Sequence, residues 1–115
     1  MKELKENISR LNHILDAIEE IEQYTKGLTL DDFIASSLVF NASVRQVAII
    51  GEASARLSEH LRDAYPDIPW RQIIGMRNIL VHDYFGISIH FVWSTIENDL
   101  PKLKSQIKTI LNQLD

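Results

Sequence analysis

The chain has 115 residues, 45% of them hydrophobic and 24% charged, with a formal net charge of −4 at pH 7 and no cysteine. Disulfides and thiolate metal sites are thereby excluded. The acidic balance runs against a general nucleic-acid binder, whose footprint is basic, although a cleft needs only local positive potential.

The length fits one helical domain spanning residues 1–115. With neither a signal peptide nor a spanning segment legible, the expectation is a cytoplasmic protein with no membrane association. The first helix is predicted from Lys2 to Tyr24. Leu4, Ile8, Leu11, Leu15, Ile18 and Ile21 recur at three- and four-residue steps, and Ile14 widens the stripe. Glu3, Glu6, Glu19, Glu20 and Glu22 form solvated faces, and His13 reads as a surface histidine. Gly27 stops this helix. Thr29 caps the next, with Asp32 completing a variant of the capping box.

A second helical stretch is expected from Leu30 to about Ala64, with a bend at Asn41 or Gly51. Phe33, Phe40, Val44 and Val47 mark its buried side, followed by Leu57 and Leu61. The small residues Ala42, Ser43, Ala48, Gly51, Ala53, Ser54 and Ala55 predict close approach by another helix. Arg45 and Glu52 lie two turns apart on one face. They form either a surface charge pair or the border of a cleft, orienting Arg77 or a second subunit. Arg56, Glu59, His60, Arg62 and Asp63 read as a solvated end.

Tyr65 to Pro69 is a connector, and Pro69 opens a third helix reaching about Val81. There Trp70, Ile73, Ile74, Ile79 and Leu80 are expected to bury, while Arg71, Gln72 and Arg77 face outward. Gly75 and Met76 would allow another close contact. Ser88 opens a fourth helix with Ile89, Val92, Trp93 and Ile96 inside and His90 exposed. Asp99-Leu100-Pro101 reads as a break with Asp99 as cap. Beyond it Leu103, Ile107, Ile110, Leu111 and Leu114 share a face. Lys102, Lys104 and Lys108 make either a solvated face or an attractive one for RNA or an acidic partner. Strand patterning, zinc or calcium ligand spacing and a Gly-rich phosphate loop are all absent from the sequence, so no cofactor is expected. The predicted fold is all-α: an up-and-down four-helix bundle with a short additional C-terminal helix.

The densest chemistry lies between Arg77 and Tyr84. Arg77, Asn78, His82, Asp83 and Tyr84 crowd a guanidinium, an amide, an imidazole, a carboxylate and a phenol into eight residues. On a regular helix Asn78 and His82 share a face, whereas Arg77 and His82 stand about 140° apart. Either Arg77 reaches round or the chain turns the imidazole back. A fixed cation beside a titratable base suits phosphodiester cleavage, the His moving protons and the Arg stabilising charge on phosphorus. A helix-end His opposing the dipole and a surface Arg would look the same. Asp83 either orients His82 or serves the turn.

The spacing Arg77-x4-His82-x-Tyr84 resembles the signature of the HEPN superfamily. Its surroundings, Trp70 to Asn78, Tyr84 to Ile87, Ile50 to Ala53 and Asp99 to Pro101, are similar to the HepT-like branch, and the likeness runs from Leu4 to about Leu114. That resemblance implies the toxin of a type VII toxin–antitoxin module. Such a toxin is a metal-independent endoribonuclease, acting as a homodimer whose two motifs face each other. Its partner is a cognate minimal nucleotidyltransferase antitoxin, with larger hetero-oligomers left open. Arg77 and His82 would be the catalytic pair, with Asn78, Asp83, Glu52 and Arg45 in support. Tyr84 would accept AMP from the partner, a modification that adds negative charge and bulk close to His82. The alternative is a non-catalytic nucleotide-binding or regulatory subunit of a nucleotidyltransferase, which suits the acidic balance better.

Overall fold

The computed structural model describes residues 1–82 and 86–114, so the expectations placed on Asp83 and Tyr84 fall outside the described residues. Helix α1 spans Lys2–Thr25. Leu11, Ile14, Ile18 and Ile21 are fully buried, whereas Leu4, Ile8 and Leu15 lie at the margin. The helix ends where Gly27 takes a φ of +75°, a left-handed conformation that costs glycine nothing. Thr29 and Asp32 then exchange both capping-box bonds: the Thr29 backbone N–H donates to Asp32 Oδ2 at 3.0 Å, and the Asp32 N–H donates to Thr29 Oγ1 at 3.2 Å.

The stretch expected as one long helix is three: α2 (Leu30–Ala35), α3 (Ser37–Ala55) and α4 (Glu59–Ala64). Asn41 and Gly51, either of which was expected to mark a bend, both lie inside α3. The breaks fall instead at Ser36 and at Arg56–Ser58. Each serine offers its hydroxyl to the backbone N–H three residues on, Ser36 to Val39 and Ser58 to Leu61, both at 3.1 Å. A side chain that caps a new helix competes with continuing the old one. Ser58 is held further by Asn7 of α1, a nearly buried amide. Asn7 Nδ2 donates to Ser58 Oγ, and the Ser58 N–H donates to Asn7 Oδ1, both at 3.0 Å.

Helix α5 spans Trp70–His82 and lies against α3. The approach depends on Gly51: a Cβ built there would stand 2.6 Å from Arg77 Cβ and 3.0 Å from the Ile73 carbonyl. The small-residue reading of α3 therefore holds, and the neighbour is the motif helix. Among the described residues Gly75 meets nothing within 4 Å, so the close contact expected there is not made among them. Ile79, expected in the core, is 53% exposed, while Trp70, Ile73 and Leu80 are buried.

Helix α6 (Ile89–Ser94) starts on Ser88 as expected, its hydroxyl accepting the Phe91 N–H at 3.2 Å. The predicted break at Asp99 is absent. A π-helical turn over Thr95–Asp99 carries the chain directly into α7 (Leu100–Leu114), and Asp99 belongs to that turn rather than capping α7. Pro101 has no N–H to donate to a carbonyl four residues back, and it follows directly on this wide turn, in the first turn of α7 where such a donor is least missed. Lys104, whose cluster was expected to be either a solvated face or an attractive one for RNA or an acidic partner, joins α7 to α1 through Glu22 at 2.8 Å and Glu19 at 4.0 Å. Its hydrogen bond with Glu22 holds the ammonium pKa above its ordinary value.

The helices run up and down, α1 against α3, α3 against α5, and α7 against α1, with the π turn packed at the head of α7. Phe33 of α2 is wholly buried and meets Trp93 of α6 at a ring separation of 5.0 Å, closing one end. Strands are absent among the described residues. No helix among them is long and apolar enough to cross a membrane.

Candidate active site

Arg77 enters the site from α5, with its backbone pressed against Gly51 of α3. Its side chain is 36% exposed and turns sideways rather than outward. Nε meets Glu52 Oε2 at 3.0 Å, and Nη1 donates to Asn78 Oδ1 at 3.1 Å. The second Glu52 oxygen takes Arg56 Nε at 3.2 Å. One carboxylate thus holds two guanidiniums, using a different oxygen for each. Because Arg77 is engaged through Nε and one Nη only, part of its donor fork faces solvent.

His82 is the last residue of α5 and is exposed. The helix is continuous from Trp70 to His82, so Arg77 and His82 leave it about 140° apart. Arg77 reaches toward α3, and His82 stands at the helix end, one turn beyond Asn78.

Between α3 and α5 runs an open groove of about 430 Å³, in which Arg45, Glu52 and Arg77 stand around a floor of Ala48 and Leu80. Glu52 and Arg45 therefore border the same cleft as Arg77, and the surface-pair reading of those two residues fails. Arg45 is exposed and makes no ion pair among the described residues. Asn78 is joined to Arg77 directly. Of the residues expected to support the pair, the structure assembles Glu52, Arg45 and Asn78 around Arg77.

The sequence reading missed Arg56, taken as part of a solvated end. Its position four residues after Glu52 is the helical spacing for an ion pair and was the available signal. Among the described residues no group of three or more His, Asp or Glu side chains is placed to hold a metal ion.

Three comparisons bear on this arrangement. Residues 14–110 match the family model described as ribonuclease HepT-like. The chain is 45% identical over 105 residues to a gamma-glutamylcyclotransferase and candidate RNase of Methanocaldococcus jannaschii, covering 91% of this chain but only 47% of that one. It is 38% identical to a candidate RNase of Caldanaerobacter subterraneus subsp. tengcongensis, over 90% of this chain and 92% of that one. It is also 36% identical to a protein of Thermococcus cleftensis named probable ribonuclease HepT, over 87% of this chain and 91% of the other. No solved structure matches.

Proposed function

Since the chain belongs to the HepT-like ribonuclease family, we propose that it is an endoribonuclease that cuts RNA with Arg77 and His82. The ion pair between Glu52 and Arg77 is the observation that carries this reading. It fixes a guanidinium on the motif helix with donors to spare, in a groove open to a phosphate. In the reaction a ribose 2′-hydroxyl attacks the adjacent phosphorus and the 5′-oxygen leaves, giving a 2′,3′-cyclic phosphate and a free 5′-hydroxyl. His82 accepts the 2′ proton or delivers one to the leaving oxygen. Arg77 neutralises charge growing on the non-bridging oxygens. No step in this scheme needs a metal ion.

The divergence of Arg77 and His82 on one helix supports a homodimer, in which the motif of a second subunit completes the site and the two imidazoles divide the acid and base roles. In the same proposal Tyr84 is the position at which a cognate nucleotidyltransferase antitoxin attaches AMP. An adenylyl group there would bring a competing phosphate to Arg77 and obstruct His82. The protein is then the toxin of a type VII module.

The test is RNA cleavage in EDTA by protein made without a nucleotidyltransferase, its intact mass recorded, beside His82→Ala and Arg77→Ala. Cleavage by the parent and loss in both variants, with helicity retained, is the expected result. Inactivity of unmodified parent protein across several RNAs would refute the nuclease. The net charge of −4 would then favour a regulatory subunit that binds nucleotide.

A further inference from the structure

The outward ridge of α3 separates two grooves. One is the α3–α5 cleft of Arg77. The other, of about 350 Å³, lies between α1 and α3 and is lined by Arg10, His13 and Arg56, with Ala53 in its floor and Glu52 shared with the first. The second groove is not used by the chemistry proposed above, and it collects two guanidiniums and an imidazole on a protein of net charge −4. Arg10 makes no ion pair among the described residues. Arg56 spends only its Nε on Glu52 and stays 57% exposed, so its remaining donors are available. A cation at a helix C-terminus suits the dipole, which accounts for Arg56 at the end of α3. It does not account for Arg10 and His13 brought beside it by a different helix.

We propose that the α1–α3 groove is a second phosphate subsite, in which Arg10, His13 and Arg56 hold the backbone of the RNA strand beyond the phosphodiester bound at Arg77. This rests on the nuclease reading. Glu52 makes the two subsites continuous: one carboxylate orients Arg56 on one side of the ridge and Arg77 on the other. A strand lying across the ridge meets guanidinium donors before and after it. Contacts of this kind bind backbone without reading sequence. They also let an acidic protein hold RNA through local charge.

The experiment uses the full chain carrying His82→Ala, so that RNA is bound and not cut, with a labelled single strand of about twelve nucleotides. Binding is followed against salt concentration. Three proteins are compared: this background, the same with Arg10→Gln and Arg56→Gln, and a charge-matched control with Lys102→Gln and Lys108→Gln on α7. Loss of two phosphate contacts should lower the salt slope by about 1.4 and weaken binding by roughly tenfold in the groove variant. The α7 control should stay near the parent, and Arg10→Lys with Arg56→Lys should restore most of the slope. Circular dichroism checks that each variant is folded, and the single changes replace the pair if it is not.

Equal slopes for parent and groove variant, or an equal fall in the α7 control, would overturn the subsite while leaving the nuclease intact. Unchanged RNA binding with lost association to the nucleotidyltransferase would assign the groove to a protein partner instead. Failure of the parent both to bind and to cleave RNA would remove the nuclease reading and this one with it.

Discussion

Glu52 and Gly51 are neighbours in sequence and act on Arg77 in different ways. Glu52 aims the guanidinium; Gly51 sets how near the motif helix comes. Glu52→Gln keeps the shape but removes the charge from a pair whose members are 41% and 36% exposed, so folding stability should change by under about 0.5 kcal/mol. Cleavage should fall roughly ten- to hundredfold as Arg77 loses its orientation, chiefly in kcat. Equal rates for Glu52→Gln and the parent would show that the pair does not position Arg77. Gly51→Ala should act on stability as well, forcing α5 outward at a cost of about 1–3 kcal/mol. Its thermal melt should fall, and cleavage should fall with it because the displaced atoms belong to Arg77. Arg77, Asn78 and His82 were legible as a cluster because their residue types are unusual together. Arg56 was not, because an arginine among charged residues carries no sign of which carboxylate it will meet.

The same contrast holds for the elements. Helices α1 and α5 could be read closely from apolar spacing and from the stops around them. The divisions at Ser36 and Ser58 could not. Serine is common inside helical patterns, and whether its hydroxyl caps or points to water is decided by a tertiary partner, here Asn7, which lies 51 positions away from Ser58. Ser58→Ala should therefore cost about 1–2 kcal/mol, since it removes a cap and leaves the Asn7 amide short of an acceptor. Ser36→Ala, losing a cap alone, should cost less; chemical denaturation compares the two. At α2 the Thr29 backbone N–H, followed by its side chain, holds the Asp32 carboxyl below its ordinary pKa. A depressed folded pKa stabilises above the unfolded value, and that contribution vanishes as pH falls through the folded one. Asp32→Asn should consequently melt lower than the parent at neutral pH, and the gap should close in acid. A gap that persists at low pH would assign the loss to something other than charge.

Across the whole molecule the open question was why an isoleucine on the motif helix should face water. Ile79 follows Asn78 and is 53% exposed in the single chain. Apolar spacing alone assigned it to the core, because spacing reports that a residue will be covered and not by which molecule. In the proposed homodimer a second copy would cover it. Ile79→Glu should then raise the dissociation constant of the dimer by at least tenfold in sedimentation velocity. Activity lost at low protein concentration should return at high concentration. If Ile79→Glu sediments as the parent does at every concentration, the contact between subunits lies on another face.

The π turn over Thr95–Asp99 has a consequence for how this family can change length. It takes up one extra residue between Val92 before it and Leu103, Ile107 and Ile110 after it, with Ile96 inside it, all of them buried. Deleting one residue within it would restore an ordinary α-helix and improve the local hydrogen bonding. Because the i→i+5 turn takes up one residue more than an α turn, the helix beyond it would keep close to its present phase, with those core residues still buried and Lys104 still facing Glu22. The chain can thus lose one residue at this turn with the last helix still seated, whereas the same deletion in the ordinary α-helix of α7 would rotate everything beyond it by about 100°.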